Sequence, residues 1–149
     1  MSIRTNIEEI QRELKDDNAT LVAVSKTKSN EEIMEAYDAG QRIFGENMVQ
    51  ELTAKQEALP ADIEWHLIGH LQSNKVKYIA PFIAMIQSVD SLKLLKEINK
   101  HAAKNNRVID CLLQVYIADE DSKFGFDHAE LVEALRDEEL AELQHVRIR

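Results

Sequence analysis

Apolar residues run along this chain in two alternating patterns, a three-and-four-residue spacing and short unbroken runs, and the alternation predicts helices and buried strands in turn. Ile3, Ile7, Ile10 and Leu14 recur at helical spacing, so residues 3–15 are expected to form an amphipathic helix that stops at Asp16-Asp17-Asn18. Residues 21–26, Leu-Val-Ala-Val-Ser-Lys, read as the first strand. Ser29 or Asn30 can cap a helix that carries Glu31 and Glu32 in its first turn and ends before Gly40. A short strand over 42–47 follows, then a helix over 48–59 stopped by Pro60, a third strand over 64–69 and a short helix over 74–79 ended by Pro81. The spacing then predicts a strand over 82–89, a helix capped by Asp90 or Ser91 and running to about Lys104, and a fifth, most apolar strand over 110–117. A loop over 118–125, a helix over 127–136 and the beginning of a sixth strand at 146–149 complete the pattern.

Strands that alternate with helices at intervals of about 20 to 25 residues imply a parallel sheet, because each parallel crossover needs a covering helix. A doubly wound sheet commonly carries a glycine-rich phosphate loop after its first strand. Here Ser25-Lys26-Thr27-Lys28-Ser29 follows, with no glycine. The pattern therefore favours the α/β class and a parallel (β/α) barrel of the TIM type, whose active groups sit at the carboxyl ends of its strands. A whole barrel takes about 250 residues, so residues 1–149 are expected to be a single partial-barrel domain of five βα units and the start of a sixth strand. The open edges of such a piece predict either self-association, as a homo-oligomer, or a partner segment missing from this sequence.

Composition narrows the partners. A net charge of −9 and no dense cluster of Lys and Arg argue against nucleic acid. No stretch approaches a membrane span, the amino terminus lacks the apolar block of a secretory signal, and a lone Cys111 supplies no disulfide framework, so a soluble cytoplasmic protein is expected. The few local lysines, Lys26, Lys28, Lys75 and Lys77, suit a small phosphorylated metabolite better than a polymer.

Lys26 carries the sharpest chemical signal. An ammonium at the end of a buried strand is costly to desolvate, and a lysine that gives up its proton there is a nucleophile. The plainer reading is a strand-end lysine whose stem lets its head reach water. By the two-residue period, Val22, Val24 and Lys26 share a face, which would aim Lys26 into a barrel mouth. Around it the strand ends collect Gly45-Glu46-Asn47, then His66 and Gly69-His70, then Gln114. Asn47 could meet a ligand or cap the next helix, and His66 could be a barrel-interior hydrogen-bonding residue or a satisfied core histidine. His66 and His70 lie four apart, but their apolar neighbours favour a strand over a zinc-binding helix. Cys111 reads as a small buried residue, Ser122-Lys123-Phe124-Gly125 as a shaped loop in which Lys123 could pair with Glu120 or Asp121, and Asp137-Glu138-Glu139 as a solvated helix face.

Four segments together resemble one family: Val24-Ser25-Lys26-Thr27-Lys28, Phe44-Gly45-Glu46-Asn47, the eleven residues from Trp65 to Lys75, and Ser122-Lys123-Phe124-Gly125-Phe126. They are similar to the pyridoxal-phosphate homeostasis proteins, whose fold is like the amino-terminal barrel of alanine racemase. The resemblance implies pyridoxal 5′-phosphate held as a Schiff base on Lys26, with Asn47 and His66 as cofactor-binding neighbours. It implies a carrier or buffer in vitamin B6 homeostasis rather than an enzyme with its own turnover, since Tyr37, Tyr78 and Tyr116 fall outside the matching segments. Family members continue to a phosphate-gripping loop beyond the last residue here, so weak retention of the cofactor is expected. The alternatives are a fragment of a fold-type-III racemase or decarboxylase, and a scaffold module with a vestigial site.

Overall fold

Six parallel strands form one sheet in the order β1-β2-β3-β4-β5-β6 in the computed structural model, which describes residues 2–117 and 124–149. Spatial order equals chain order, so each crossover steps to the next neighbour in the same direction and the helices lie on one side. A doubly wound sheet would reverse direction part-way. The architecture is a partial (β/α) barrel.

The elements are α1 (Ile3–Glu13), β1 (Ala23–Val24), α2 (Asn30–Asp38), β2 (Ile43–Glu46), α3 (Val49–Ala58), β3 (Glu64–Leu67), α4 (Val76–Ile79), β4 (Met85–Val89), α5 (Leu92–Lys104), β5 (Ile109–Leu113), α6 (His128–Arg136), α7 (Glu138–Glu142) and β6 (Val146–Ile148). Helix starts follow local chemistry. The Ser29 side chain accepts from the Glu32 amide while Glu32 reaches back to the Ser29 amide, a complete capping box. Ser91 caps α5 by accepting from the Leu94 amide. Asp137 ends α6 and caps the short α7, so the acidic run begins a second helix, and Lys96 pairs with Glu139 on its outer side.

Alternation along the strands divides the residues between two faces. Phe44, Trp65, Leu67, Ile86, Ile109 and Cys111 are buried against the helices, where Leu52, Leu95, Ile98 and Ala102 meet them. The opposite, concave face carries one residue per strand at matching register: Val24, Gly45, His66, Met85, Asp110 and Arg147. Asp110 accepts from Arg147 Nε at 2.7 Å across this face. Among the described residues no helix is long and apolar enough to cross a membrane.

Four expectations about the elements need correction. The fifth strand ends at Leu113 rather than Ile117. The first strand is two residues long rather than six, because β1 is an edge strand bonded to β2 alone and Thr27 turns it with a positive φ of 64°. The fourth strand starts at Met85, not Phe82. The Arg107 guanidinium donates to the carbonyls of Ala80 (2.7 Å) and Ile83 (2.8 Å) and holds that approach as a turn. The expected helix over 74–79 begins as a 3₁₀ turn at Ser73–Lys75. The Ser122-Lys123 part of the loop motif, and any pairing of Lys123, lie outside the described residues.

Candidate functional site

Ser25, Lys26 and Thr27 leave the carboxyl end of β1, and the chain on either side of Lys26 is held from the helix face by charged side chains. Lys55 of α3 is buried, and its Nζ donates to the Ser25 carbonyl at 2.7 Å, to Glu46 Oε2 at 2.9 Å and to Glu51 Oε2 at 2.7 Å. The Ser25 hydroxyl also donates to Glu46 Oε2, and the Thr27 amide donates to Glu51 Oε2 at 2.7 Å. The hydrogen bond from Lys55, with help from the Thr27 amide, holds the Glu51 carboxyl below the usual range against a smaller opposing effect of burial. Glu46 Oε1 is buried with no hydrogen-bond partner. Thr27 is a β-branched residue in the left-handed region, a conformation that costs about 1–3 kcal/mol and persists only where its surroundings hold it. Glu51 supplies one such hold.

Sequence reasoning missed this cluster, though two signals were present. Phe44 and Glu46 share strand parity, so an apolar Phe44 facing the helices carries Glu46 to the same side. Glu51 and Lys55 are four apart on α3, the spacing of a helical ion pair.

On the concave face, counting outward from the register sets Lys26 and Asn47 at the same level, two residues beyond Val24 and Gly45, with His66 one level deeper. The expected burial of Lys26 is overturned: Lys26 is exposed, as is Val24 beside it at 53%. An edge strand has a neighbour on one side only, and the concave surface beside it is open. The apolar run that suggested burial packs through Leu21, Val22 and Ala23, which are half-buried.

Asn47 does not cap α3. The cap position belongs to Met48, with no side-chain hydrogen bond. Instead Asn47 lies against Gly69, where an added Cβ would come within 2.2 Å of Asn47 Oδ1 and 2.4 Å of its carbonyl oxygen. Only glycine allows that approach, and Ser88 fixes the same corner by donating to the Gly69 carbonyl at 2.5 Å. His66 is buried and its ring meets Gln87 Nε2 at 2.9 Å through Nδ1. An amide nitrogen can only donate, so Nδ1 accepts and the neutral ring carries its proton on Nε2. Burial lowers the proton affinity of His66, with Glu64 and Asp110 opposing, so the neutral ring is the form at neutral pH.

The three predicted residues therefore share a property. Among the described residues Lys26 has no ion pair, the Asn47 amide has no hydrogen-bond partner, and His66 Nε2 has none. A free amine, a free amide and a ring N–H are groups that the aldehyde and polar atoms of a phosphorylated pyridine can engage, and in this respect the residues fit such a group.

The remaining candidates fall elsewhere. His70 pairs with Asp90 at 3.1 Å and stacks on Phe124 with ring centroids 4.0 Å apart, away from His66's partner, and no group of three metal-ligating side chains occurs among the described residues. Burial pushes the Cys111 thiol up to about 12, which makes it inert as a nucleophile. Tyr37 donates to Asp62 at 2.7 Å at the amino end of the strands, opposite Lys26. Lys75 and Lys77 lie over the Tyr78 ring on the surface.

An open parallel barrel segment with a lysine just past its first strand defines a class, and the comparisons agree: the model of the alanine racemase N-terminal domain matches residues 1–149. The chain is 44% identical over 131 residues to the pyridoxal phosphate homeostasis protein of Aquifex aeolicus, covering 87% of this chain and 57% of that one. It is 36% identical over 163 residues to the protein of the same name from Pasteurella multocida, covering 100% and 68%. PipY of Synechococcus elongatus superposes with a TM-score of 0.85 without PLP and 0.82 with PLP bound, at 40% identity over 96% of this chain and 68% of PipY. The chain belongs to the pyridoxal phosphate homeostasis protein family. It spans between 57% and 68% of the length of these relatives.

Proposed function

We propose that residues 1–149, acting as one partial-barrel unit, bind pyridoxal 5′-phosphate reversibly and serve as a carrier or buffer of that cofactor, with no turnover of their own. Lys26 would hold the cofactor: its Nζ would supply the amine that condenses with the aldehyde, with loss of water, as a Schiff base that hydrolysis reverses. Asn47 offers its amide from the neighbouring strand end, and His66 offers Nε2–H from one level deeper, each to a polar atom of the bound ring. When bound, the cofactor supplies an aldehyde that can be handed on. The residues of this chain hold it and orient it.

The observation that carries this reading is the trio of unpaired polar groups on the concave face, in a chain where, among the described residues, Glu46 Oε1 alone of the fully buried side-chain polar atoms lacks a partner. PipY, at 40% identity, has been solved with PLP bound, which supports the same ligand here. Titration of the purified chain with pyridoxal phosphate should produce an imine absorption band that Lys26→Ala abolishes and Lys28→Ala leaves in place. Incubation of the loaded protein with amino acids in deuterated water should give no exchange of the α-proton. A band of equal strength in Lys26→Ala would overturn the tether, and α-proton exchange would overturn the carrier in favour of a racemase-like activity.

A further inference from the structure

We propose that the buried cluster of Ser25, Glu46, Glu51 and Lys55 is a positioning device for Lys26, with Glu51 its directing member. The inference rests on the reading of Lys26 as the lysine that takes up the cofactor, and adds to it the group that aims the amine.

Lys26 itself touches none of these side chains, and its exposed stem is free to rotate. What is fixed is its backbone. The carbonyl of Ser25 belongs to the peptide that enters Lys26, and Lys55 Nζ donates to it at 2.7 Å. The amide of Thr27 belongs to the peptide that leaves Lys26, and it donates to Glu51 Oε2 at 2.7 Å. The same carboxylate oxygen accepts from Lys55, so a single acceptor ties the two peptide groups flanking the nucleophile to one buried ammonium. The Ser25 amide adds a third constraint by donating to the Gly45 carbonyl at 2.9 Å, which continues the β1–β2 ladder up to Lys26.

Thr27 gives this arrangement a conformational consequence. Its φ of 64° lies in a region that a β-branched residue leaves when nothing holds it there. Without the acceptor at Glu51, the Lys26-Thr27 peptide is free to rotate back toward extended backbone, and that rotation swings the Lys26 Cα–Cβ bond away from the level of Asn47. A flexible side chain that starts from a fixed direction searches less space than one that starts from a mobile corner, and orientation of this kind strongly affects the rate and equilibrium of a condensation. Glu46 has a different part. It accepts from Ser25 and Lys55 on the helix side and fixes the ammonium, while reaching neither peptide group.

Glu51 allows the test because its side chain is partly exposed and its loss leaves the Lys55–Glu46 pair intact. Gln at this position keeps a carbonyl oxygen that can accept from both Thr27 and Lys55, whereas Ala removes it. The purified chain and the variants Glu51→Ala and Glu51→Gln are mixed with pyridoxal phosphate and sodium cyanoborohydride. Adducts on Lys26 and Lys28 are then counted by peptide mass spectrometry, and melting temperatures are recorded in parallel without cofactor.

The wild-type chain should carry its adduct on Lys26 in excess over Lys28. That excess should fall about tenfold in Glu51→Ala and persist within about twofold in Glu51→Gln. A purely stabilising cluster would lower the melting temperature of Glu51→Ala and leave the Lys26-to-Lys28 ratio of the folded protein unchanged, and that result overturns the positioning role while the tether stands. Absence of a Lys26 excess in the wild-type chain would overturn the tether itself, and the positioning role with it.

Discussion

On the helix side of β2, Glu46 is fully buried and is bound by Ser25 and Lys55; one residue later, on the concave side, Asn47 is half-buried and its amide meets no partner. The same contrast runs along the sheet. Where strands meet helices, buried side-chain polar groups are few and, among the described residues, all but Glu46 Oε1 are satisfied, because an unpaired polar group there costs about 1–3 kcal/mol. Where strands face the open concavity, Lys26, Asn47 and His66 each keep a polar atom free. A chain tolerates unpaired groups on a surface reached by water and ligand and removes them from one that is not. The open face is thus the one available for chemistry, and the closed face sets where its residues start.

The largest expected effect falls on the closed face. Lys55→Met removes the only described charge partner of Glu46, and breaking a buried pair by deleting one member should lower stability by about 3–5 kcal/mol, read by denaturant unfolding. A loss below about 1 kcal/mol would show that water reaches Glu46 and would erase the contrast between the faces. Next comes the corner where the two faces join. Gly69→Ala drives a methyl group against the Asn47 carbonyl and should cost about 1–3 kcal/mol. Ser88→Ala, which leaves the Gly69 carbonyl without its donor, should cost about 1 kcal/mol.

A smaller effect is pH-dependent and belongs to the concave side. Burial lowers the proton affinity of His66 in the folded chain below its ordinary value of 6.5, so the unfolded chain binds the proton more readily. The folded state is therefore favoured fully above that value, and the advantage is lost as the pH falls through it toward the lowered folded value. His66→Gln should reduce the stability difference between pH 7 and pH 5.5, and an unchanged difference would show that His66 is not the group that titrates in this range. The smallest effect is expected at Val24→Thr. Val24 is exposed on the open face, and its replacement should change stability by less than about 0.5 kcal/mol.

Much of the fold was legible in the periodicity. Helix-spaced apolar residues, the Ser29 and Ser91 caps and the stop at Pro60 located the helices, and the regular strand spacing with no glycine loop after β1 pointed to a barrel. The lengths of β1 and β4 were not legible, because an edge strand's missing neighbour and the grip of Arg107 on the Ala80 and Ile83 carbonyls are tertiary facts. The site residues could be picked out by their positions at strand ends. The exposure of Lys26 could not, since an apolar run reads as buried whether or not a wall stands opposite. The Lys55 cluster was written in the parity of Phe44 and Glu46 and the spacing of Glu51 and Lys55, but only a strand register turns those hints into contacts.

The tether at Lys26 is tested most directly by a crystal structure of the chain soaked with pyridoxal phosphate. Continuous density from Lys26 Nζ to the aldehyde carbon, with the ring against the concave face beside Asn47 and His66, is the expected result. A free Lys26 side chain in solvent, with the cofactor bound at another lysine or on the helix side of the sheet, would contradict it.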